Sequence, residues 1–275
     1  TRESVLADFG RVLTMTLQRL PQFASAEIEH HPRHYLIDGE KYQRVTTALG
    51  VINKPALGPW MVKTAIARMQ EILLDPKVSS ELVEVIENLP EEGAPAGEAY
   101  AGWVERFAKA VKAAPNNERD ERADFGTEIH KAIHRYLTTD MVIELEPRAS
   151  QAIRFLEDWR VNVLATEFVV WDQENKVAGT IDGVGRLPNG DLIIWDWKTG
   201  SGPWWEMALQ LGAYEALLLA TTGLLASRGF IVKLTDDSYT VHQVLDLHLA
   251  SIAYWSILQV HDHSKTKWFE EVTAR

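Results

Sequence analysis

Residues 177–198, VAGTIDGVGRLPNGDLIIWDWK, constrain this chain more than any other stretch. Two runs of strand-like residues flank Pro188-Asn189-Gly190, which suits a three-residue hairpin loop with glycine at its left-handed position. That loop sets Leu187 opposite Asp191, and counting back sets Asp182 opposite Asp196. Directly opposed residues share a face, with Cβ atoms about 5 Å apart. Lys198 returns to the same face two positions after Asp196. Facing carboxylates repel one another unless a cation lies between them. The run LIIW before Asp196 is apolar on both faces, so the acids fall at the end of a buried strand. Gly179 and Gly183 are read as leaving room for a ligand or a second backbone. Two acids and an ammonium suit a divalent metal ion and an attacking water. Hydrolysis of a phosphodiester is therefore the leading expectation.

Composition narrows the alternatives. At 275 residues, 46% apolar and 24% charged, the chain can bury a full core as one or two compact units. It has no cysteine, which excludes disulfides, thiolate zinc, a cysteine nucleophile and an iron–sulfur cluster. The formal net charge of −11 argues against broad, sequence-blind adhesion to nucleic acid but leaves room for a locally basic channel. No long apolar run predicts a membrane span, and the first residues do not resemble a signal peptide. A cytoplasmic protein of bacterial, archaeal or phage origin is expected. Most of the ten tryptophans are assigned to the core, whereas Trp204-Trp205, close to the acids, could stack on bases.

The spacing predicts helices over 3–20, 58–75, 79–90, 97–113, 120–138 and 147–163, with the acidic loop PEEGAPAG among them. A small hairpin is predicted over 34–45 around Asp38-Gly39, after which Thr46-Thr47 would cap a short helix ending near Gly50. The period then changes to alternation. Strands are expected over 166–172, 177–187 and 191–198, a helix over 203–221, strands near 229–234 and 239–245, and a final helix over 247–260. The fold class is α/β: a central mixed sheet of about five strands flanked by helices. A helical region over 1–119 is expected to pack on a core over 120–275.

Further positions extend the acidic pair. If the first two strands turn about Glu174-Asn175, Glu167 falls opposite Asp182 as a second-sphere group or second-metal ligand. Gln210 and Tyr214 lie one helical turn apart, as a polar pair satisfied in the core or directed at the site. His130 and His134 share that spacing, but without an HExxH pattern or a third ligand a zinc hydrolase has little support. Gly126 would permit close packing that lets His130 reach a metal or phosphate. His30-His31 and His261/His263 read as surface groups. No GxxxxGK[ST] loop is present, so no nucleotide cofactor is expected.

GTID at 179–182, DWK at 196–198 and QLGAY at 210–214 together resemble the PD-(D/E)XK nuclease superfamily, in particular its RecB-like branch with a QxxxY helix. GTEIH at 126–130 resembles that branch's histidine motif, and RVTTALG at 44–50 is similar to a segment of stand-alone phage-type and mitochondrial genome maintenance exonucleases. The resemblance implies a restriction-endonuclease-like core whose first three strands are antiparallel. It implies Mg²⁺- or Mn²⁺-dependent cleavage of DNA, usually from an end and often on single strands, in repair or recombination alongside replication or recombination proteins. Asp182, Asp196, His130 and the backbone carbonyl of Trp197 would hold metal. Lys198 would orient the water, and Gln210 and Tyr214 would support the site. Asp196 stands where glutamate is commoner, and the cluster cysteines of some relatives are absent. The alternatives are a structure-selective or restriction-type endonuclease, a non-catalytic nucleic-acid-binding module, and an acidic protein-interaction domain.

Overall fold

The computed structural model describes residues 26–52, 54, 57–87, 98–139, 144–264 and 266. The helix expected over 3–20, the end of that over 79–90 and the loop 90–97 lie outside the described residues.

Three short strands come first, β1 (Ile28–His30), β2 (His34–Ile37) and β3 (Glu40–Arg44). Asp38 and Gly39 both take positive φ, at 51° and 78°, as a two-residue hairpin turn requires. Helix α1 (Val45–Ala48) follows without a break, so Arg44 occupies its N-cap without a side-chain bond. Thr46 and Thr47 therefore sit inside the helix rather than capping it.

Helices α2 (Leu57–Leu74), α3 (Pro76–Glu87) and α4 (Glu98–Thr138) come next. The two helices expected over 97–113 and 120–138 are one. Pro115 removes a backbone donor inside α4, yet the helix continues through it. Helix α5 (Pro147–Asp158) ends five residues earlier than 163, because Arg160 takes a left-handed φ of 49° and turns the chain into β4 (Asn162–Asp172). Then come β5 (Val177–Arg186), β6 (Leu192–Lys198), α6 (Trp205–Thr222), β7 (Arg228–Leu234), β8 (Tyr239–Gln243) and α7 (Leu247–His263).

Among the described residues, those up to Ile52 and from Gly126 onward form one compact unit, and those between form a second. In the second, Arg106 pairs with Glu81 at 2.5 Å and the Arg122 guanidinium lies 6.0 Å from the Trp60 ring. No described residue of α2 or α3 is buried.

The first unit is a mixed α/β structure built on an eight-stranded sheet, ordered β1-β2-β3-β5-β6-β7-β8 with β4 also on β5. Strand β5 runs antiparallel to both β4 and β6, β6 and β7 run parallel across the α6 crossover, and β3 runs parallel to β5. The sheet exceeds the expected five strands because the small N-terminal hairpin, with β1, joins it through β3. One apolar core lies under α6 and α7, including Ile181, Ile194, Leu211 and Tyr254. A second joins Ile129 and Ile133 of α4 and Phe155 of α5 to Ile193, Trp195 and Trp197 of β6. The alternation along β6 is thus apolar on both faces, as a central strand requires.

Helices α6 and α7 meet at Gly212, where an added Cβ would stand 2.3 Å from the Ser251 nitrogen and 2.4 Å from the Ala250 carbonyl carbon. Because backbone cannot yield as a side-chain end does, Gly212→Ala is expected to destabilise the chain by about 1–3 kcal/mol or more. The fall in the chemical-denaturation midpoint measures it.

Candidate active site

Strand β5 delivers the site because its second edge is shared. β3 pairs with Val177 and Ala178, β6 pairs with Gly183–Arg186, and neither ladder reaches residues 179–182. A cleft of about 350 Å³ opens there, lined among others by Gly179, Thr180, Asp182, His130 and Glu167.

The hairpin register is the one its turn demands. The Leu187 N–H donates to the Asp191 carbonyl at 3.0 Å, Gly190 has φ 93°, and Gly183 pairs with Trp195. One step further Asp182 faces Asp196, but the ladder stops there. The Asp182 Oδ2 atom instead accepts the Trp197 N–H at 2.7 Å. The glycines do not leave space for a ligand as expected. A Cβ on Gly183 would lie 2.0 Å from the Trp195 indole, and one on Gly179 would lie 2.5 Å from the Tyr214 ring. Core side chains fill that room.

The β4–β5 register likewise follows the turn at Glu174-Asn175, with Asp172 opposite Val177 and Phe168 opposite Ile181. Glu167 therefore falls at the level of Asp182, where the ladder is interrupted: Glu167 has φ 49°, and the Thr166 hydroxyl donates to the Asp182 carbonyl at 3.0 Å. A left-handed glutamate inside a strand costs on the order of 1 kcal/mol and is typical of a functional site. The kink turns its carboxylate toward α4.

From α4, His130 meets both acids. Its Nδ1 lies 3.4 Å from Asp182 Oδ1 and 3.6 Å from Glu167 Oε1, while Nε2 lies 3.2 Å from the Trp197 carbonyl. With Nε2–H donating to that carbonyl, Nδ1 is the nitrogen left to serve the acids or an ion. One ligand atom each from His130, Glu167 and Asp182 falls within a 4.8 Å span, a geometry that could hold a metal ion. One nitrogen and two carboxylate oxygens, together with the nearby Trp197 carbonyl, fit a hard divalent cation.

Asp196 has different partners. Lys198 Nζ lies 2.5 Å from its Oδ2, and the Gln210 amide donates to its Oδ1 at 3.2 Å and to the Tyr214 hydroxyl at 2.9 Å. The structure thus gathers all eight expected residues around one strand end, in two groups: His130, Glu167, Asp182 and the Trp197 backbone, then Asp196, Lys198, Gln210 and Tyr214.

The electrostatics follow from burying charges together. Burial alone would depress the His130 imidazole, but Asp182 and, behind it, Glu167 and Asp196 outweigh it and push its pKa up to about 11. Burial would raise the Asp182 carboxyl, but the His130 charge holds it below the usual carboxylate range. Burial, reinforced by Asp182, pushes the Asp196 carboxyl up to about 6 despite Lys198. Asp196 in turn keeps the half-buried Lys198 ammonium protonated against the pull of desolvation. The Tyr214 hydroxyl is pushed well up, first by burial and then by Asp196.

Several cleft residues are given no role in the site by the sequence. They include His30, which is exposed as expected and borders the cleft, with Tyr35, Arg44, Thr46, Thr127, His134 and Thr180. Tyr35, Arg44 and Thr180 enter through the β3–β5 contact, a parallel pairing between segments more than 130 residues apart. Arg44 lies in the segment RVTTALG and Thr180 in GTID, whereas Tyr35 lies in neither.

A family model of the PD-(D/E)XK nuclease superfamily matches residues 77–274. The chain belongs to that superfamily. No curated protein matches significantly. Among solved structures, SSO0001 is 15% identical over 69% of this chain and 84% of its own, with a TM-score of 0.34. The alkaline exonuclease LHK-Exo from Laribacter hongkongensis is 15% identical over 52% of this chain and 84% of its own, at 0.25. Its complex with dAMP gives 16%, 52%, 84% and 0.24. Members of this superfamily use divalent metals, and the His130–Glu167–Asp182 group is the candidate site in this PD-(D/E)XK chain. No helix among the described residues is long and apolar enough to cross a membrane.

Proposed function

We propose that this chain is a Mg²⁺- or Mn²⁺-dependent DNA exonuclease of the RecB-like branch, acting on single-stranded ends. The observation that carries the reading is the convergence of His130, Glu167 and Asp182 within 4.8 Å, beside an Asp196–Lys198 pair at the end of the same hairpin. When bound, the divalent ion supplies a Lewis acid that lowers the pKa of water and offsets phosphate charge. Asp182, Glu167 and His130 Nδ1 are the groups that hold it, and the Trp197 carbonyl fixes the His130 tautomer. Lys198, kept cationic by Asp196, orients the attacking water and stabilises charge developing on the phosphate. Gln210 holds Asp196 and Tyr214 in register, so the QxxxY pair supports the site through Asp196 rather than touching the ion. Exposed Trp204 and Trp205, just beyond Lys198, offer indole faces to unstacked bases, which supports a single-stranded substrate.

Linear and covalently closed circular single strands of one sequence, incubated with Mg²⁺ or Mn²⁺, separate the readings. The expected result is loss of the linear strand to mononucleotides or short products while circles persist. Cutting of circles at a comparable rate would reject the exonuclease in favour of an endonuclease on the same fold.

A further inference from the structure

The metal-ligand group occupies one part of the cleft, and another part presents a fixed cation. Arg44 ends β3 directly opposite Ala178, four residues before Asp182 on β5, or about 13 Å along the strand. Its guanidinium does not swing freely. Nη1 donates to the His31 carbonyl at 3.1 Å and the Pro32 carbonyl at 3.3 Å, and Nη2 donates to the Tyr35 hydroxyl at 3.3 Å. The Tyr35 hydroxyl is itself bonded to Thr180 Oγ1 at 2.9 Å, and the guanidinium carbon lies 5.0 Å from the Tyr35 ring centre. Tyr35 is buried, and His30 packs edge-on against it with centroids 5.0 Å apart.

This arrangement has the marks of a built anion site rather than a structural ion pair. Arg44 has no carboxylate partner among the described residues, and all its bonds there go to neutral oxygens. Those bonds use three of the five guanidinium donors and leave two for a ligand. A planar cation held in this way suits bidentate recognition of phosphate oxygens. The acids of the triad repel a phosphate unless an ion lies between them, whereas Arg44 attracts one directly. Thr180, one pleat from Asp182, connects the two parts of the cleft along a single strand. The separation suits another phosphate of the strand rather than the one positioned by the triad.

We propose that Arg44 forms a second phosphate subsite, which takes a non-scissile phosphate of the nucleic-acid strand while the triad addresses the scissile one. The assignment rests on the nuclease reading above. In this view Tyr35 and the carbonyls of His31 and Pro32 hold the guanidinium ready, and Arg44 acts through affinity and register rather than through the bond-breaking step.

The test neutralises phosphates one at a time. Oligonucleotides carrying a single methylphosphonate at successive positions are titrated with Ca²⁺ present against the wild type, Arg44→Gln and Arg44→Lys, with thermal unfolding recorded for each protein. The wild type is expected to lose about tenfold in affinity at one non-scissile position, the worth of a charge-assisted hydrogen bond pair. Arg44→Gln is expected to bind the unmodified strand about tenfold more weakly and to show no further loss at that position. Arg44→Lys, which keeps the charge but not the fork, is expected to fall between them. Equal sensitivity to that methylphosphonate in Arg44→Gln and the wild type would overturn the subsite, whatever the variant's stability. If the wild type binds and hydrolyses DNA while Arg44→Gln matches it in affinity, only the subsite fails. If the wild type binds no oligonucleotide at all, the nuclease reading fails with it.

Discussion

Asp182→Asn is expected to lower metal-dependent DNA cleavage by about 10³-fold or more, with the chain still folded. The asparagine oxygen can still accept the Trp197 N–H that Asp182 Oδ2 accepts at 2.7 Å, so the link between β5 and β6 survives. What disappears is the negative charge that, with Glu167, draws a cation to His130 Nδ1. Calorimetric titration with Mn²⁺ should therefore show lost binding alongside lost cleavage of an end-labelled oligonucleotide, with a thermal melt confirming that the variant is folded. A variant that binds Mn²⁺ and cleaves like the wild type would remove Asp182 from the metal site.

Lys198→Met should cut cleavage by about 10²–10³-fold, the usual worth of a group that stabilises charge in a closed site. It also leaves Asp196 buried without its ammonium, and losing one member of a buried ion pair typically costs about 3 kcal/mol. The sign of the pH dependence follows from the Asp196 carboxyl, which stands at about 6 in the folded wild type, above its unfolded value. A raised acid takes up a proton on folding, so folding is favoured as pH falls through that window. Without Lys198 the folded-state value rises further and the window widens upward. In metal-free buffer the variant should thus lie closest to the wild type near pH 5 and fall progressively behind as pH rises to 8. Denaturant midpoints of both proteins across that range measure it. A stability difference independent of pH would show that Lys198 and Asp196 are not coupled.

The sequence made the hairpin legible because its turn leaves little choice. Once Pro188-Asn189-Gly190 closes in three residues, every opposed pair along β5 and β6 follows, including Asp182 and Asp196. The same counting from Glu174-Asn175 set Glu167 at the level of Asp182. Counting could not show that the ladders stop at this level, because the positive φ of Glu167 and the Trp197 N–H donating to the Asp182 carboxylate are features of the folded backbone that register alone does not predict. That interruption divides one expected row of acids into two groups with separate partners. The room beside Asp182 was misread for a related reason: glycine in a strand permits close approach, but only packing shows that Trp195 and Tyr214 are what approaches. The sequence reading splits α4 near Pro115 because a proline usually ends a helix, and the helix expected over 147–163 overruns α5 because Val161 and Val163 fit either period. Parallel pairing of β3 with β5, which brings Arg44 to the cleft, joins segments with no turn between them and left no local trace.

The most direct test of the account is hydrolysis of an end-labelled single-stranded oligonucleotide by the wild-type chain with Mg²⁺, with Mn²⁺ and with EDTA. The account predicts progressive shortening from an end with either ion and none with EDTA. Cleavage that persists in EDTA, or an intact strand under all three conditions, would contradict it.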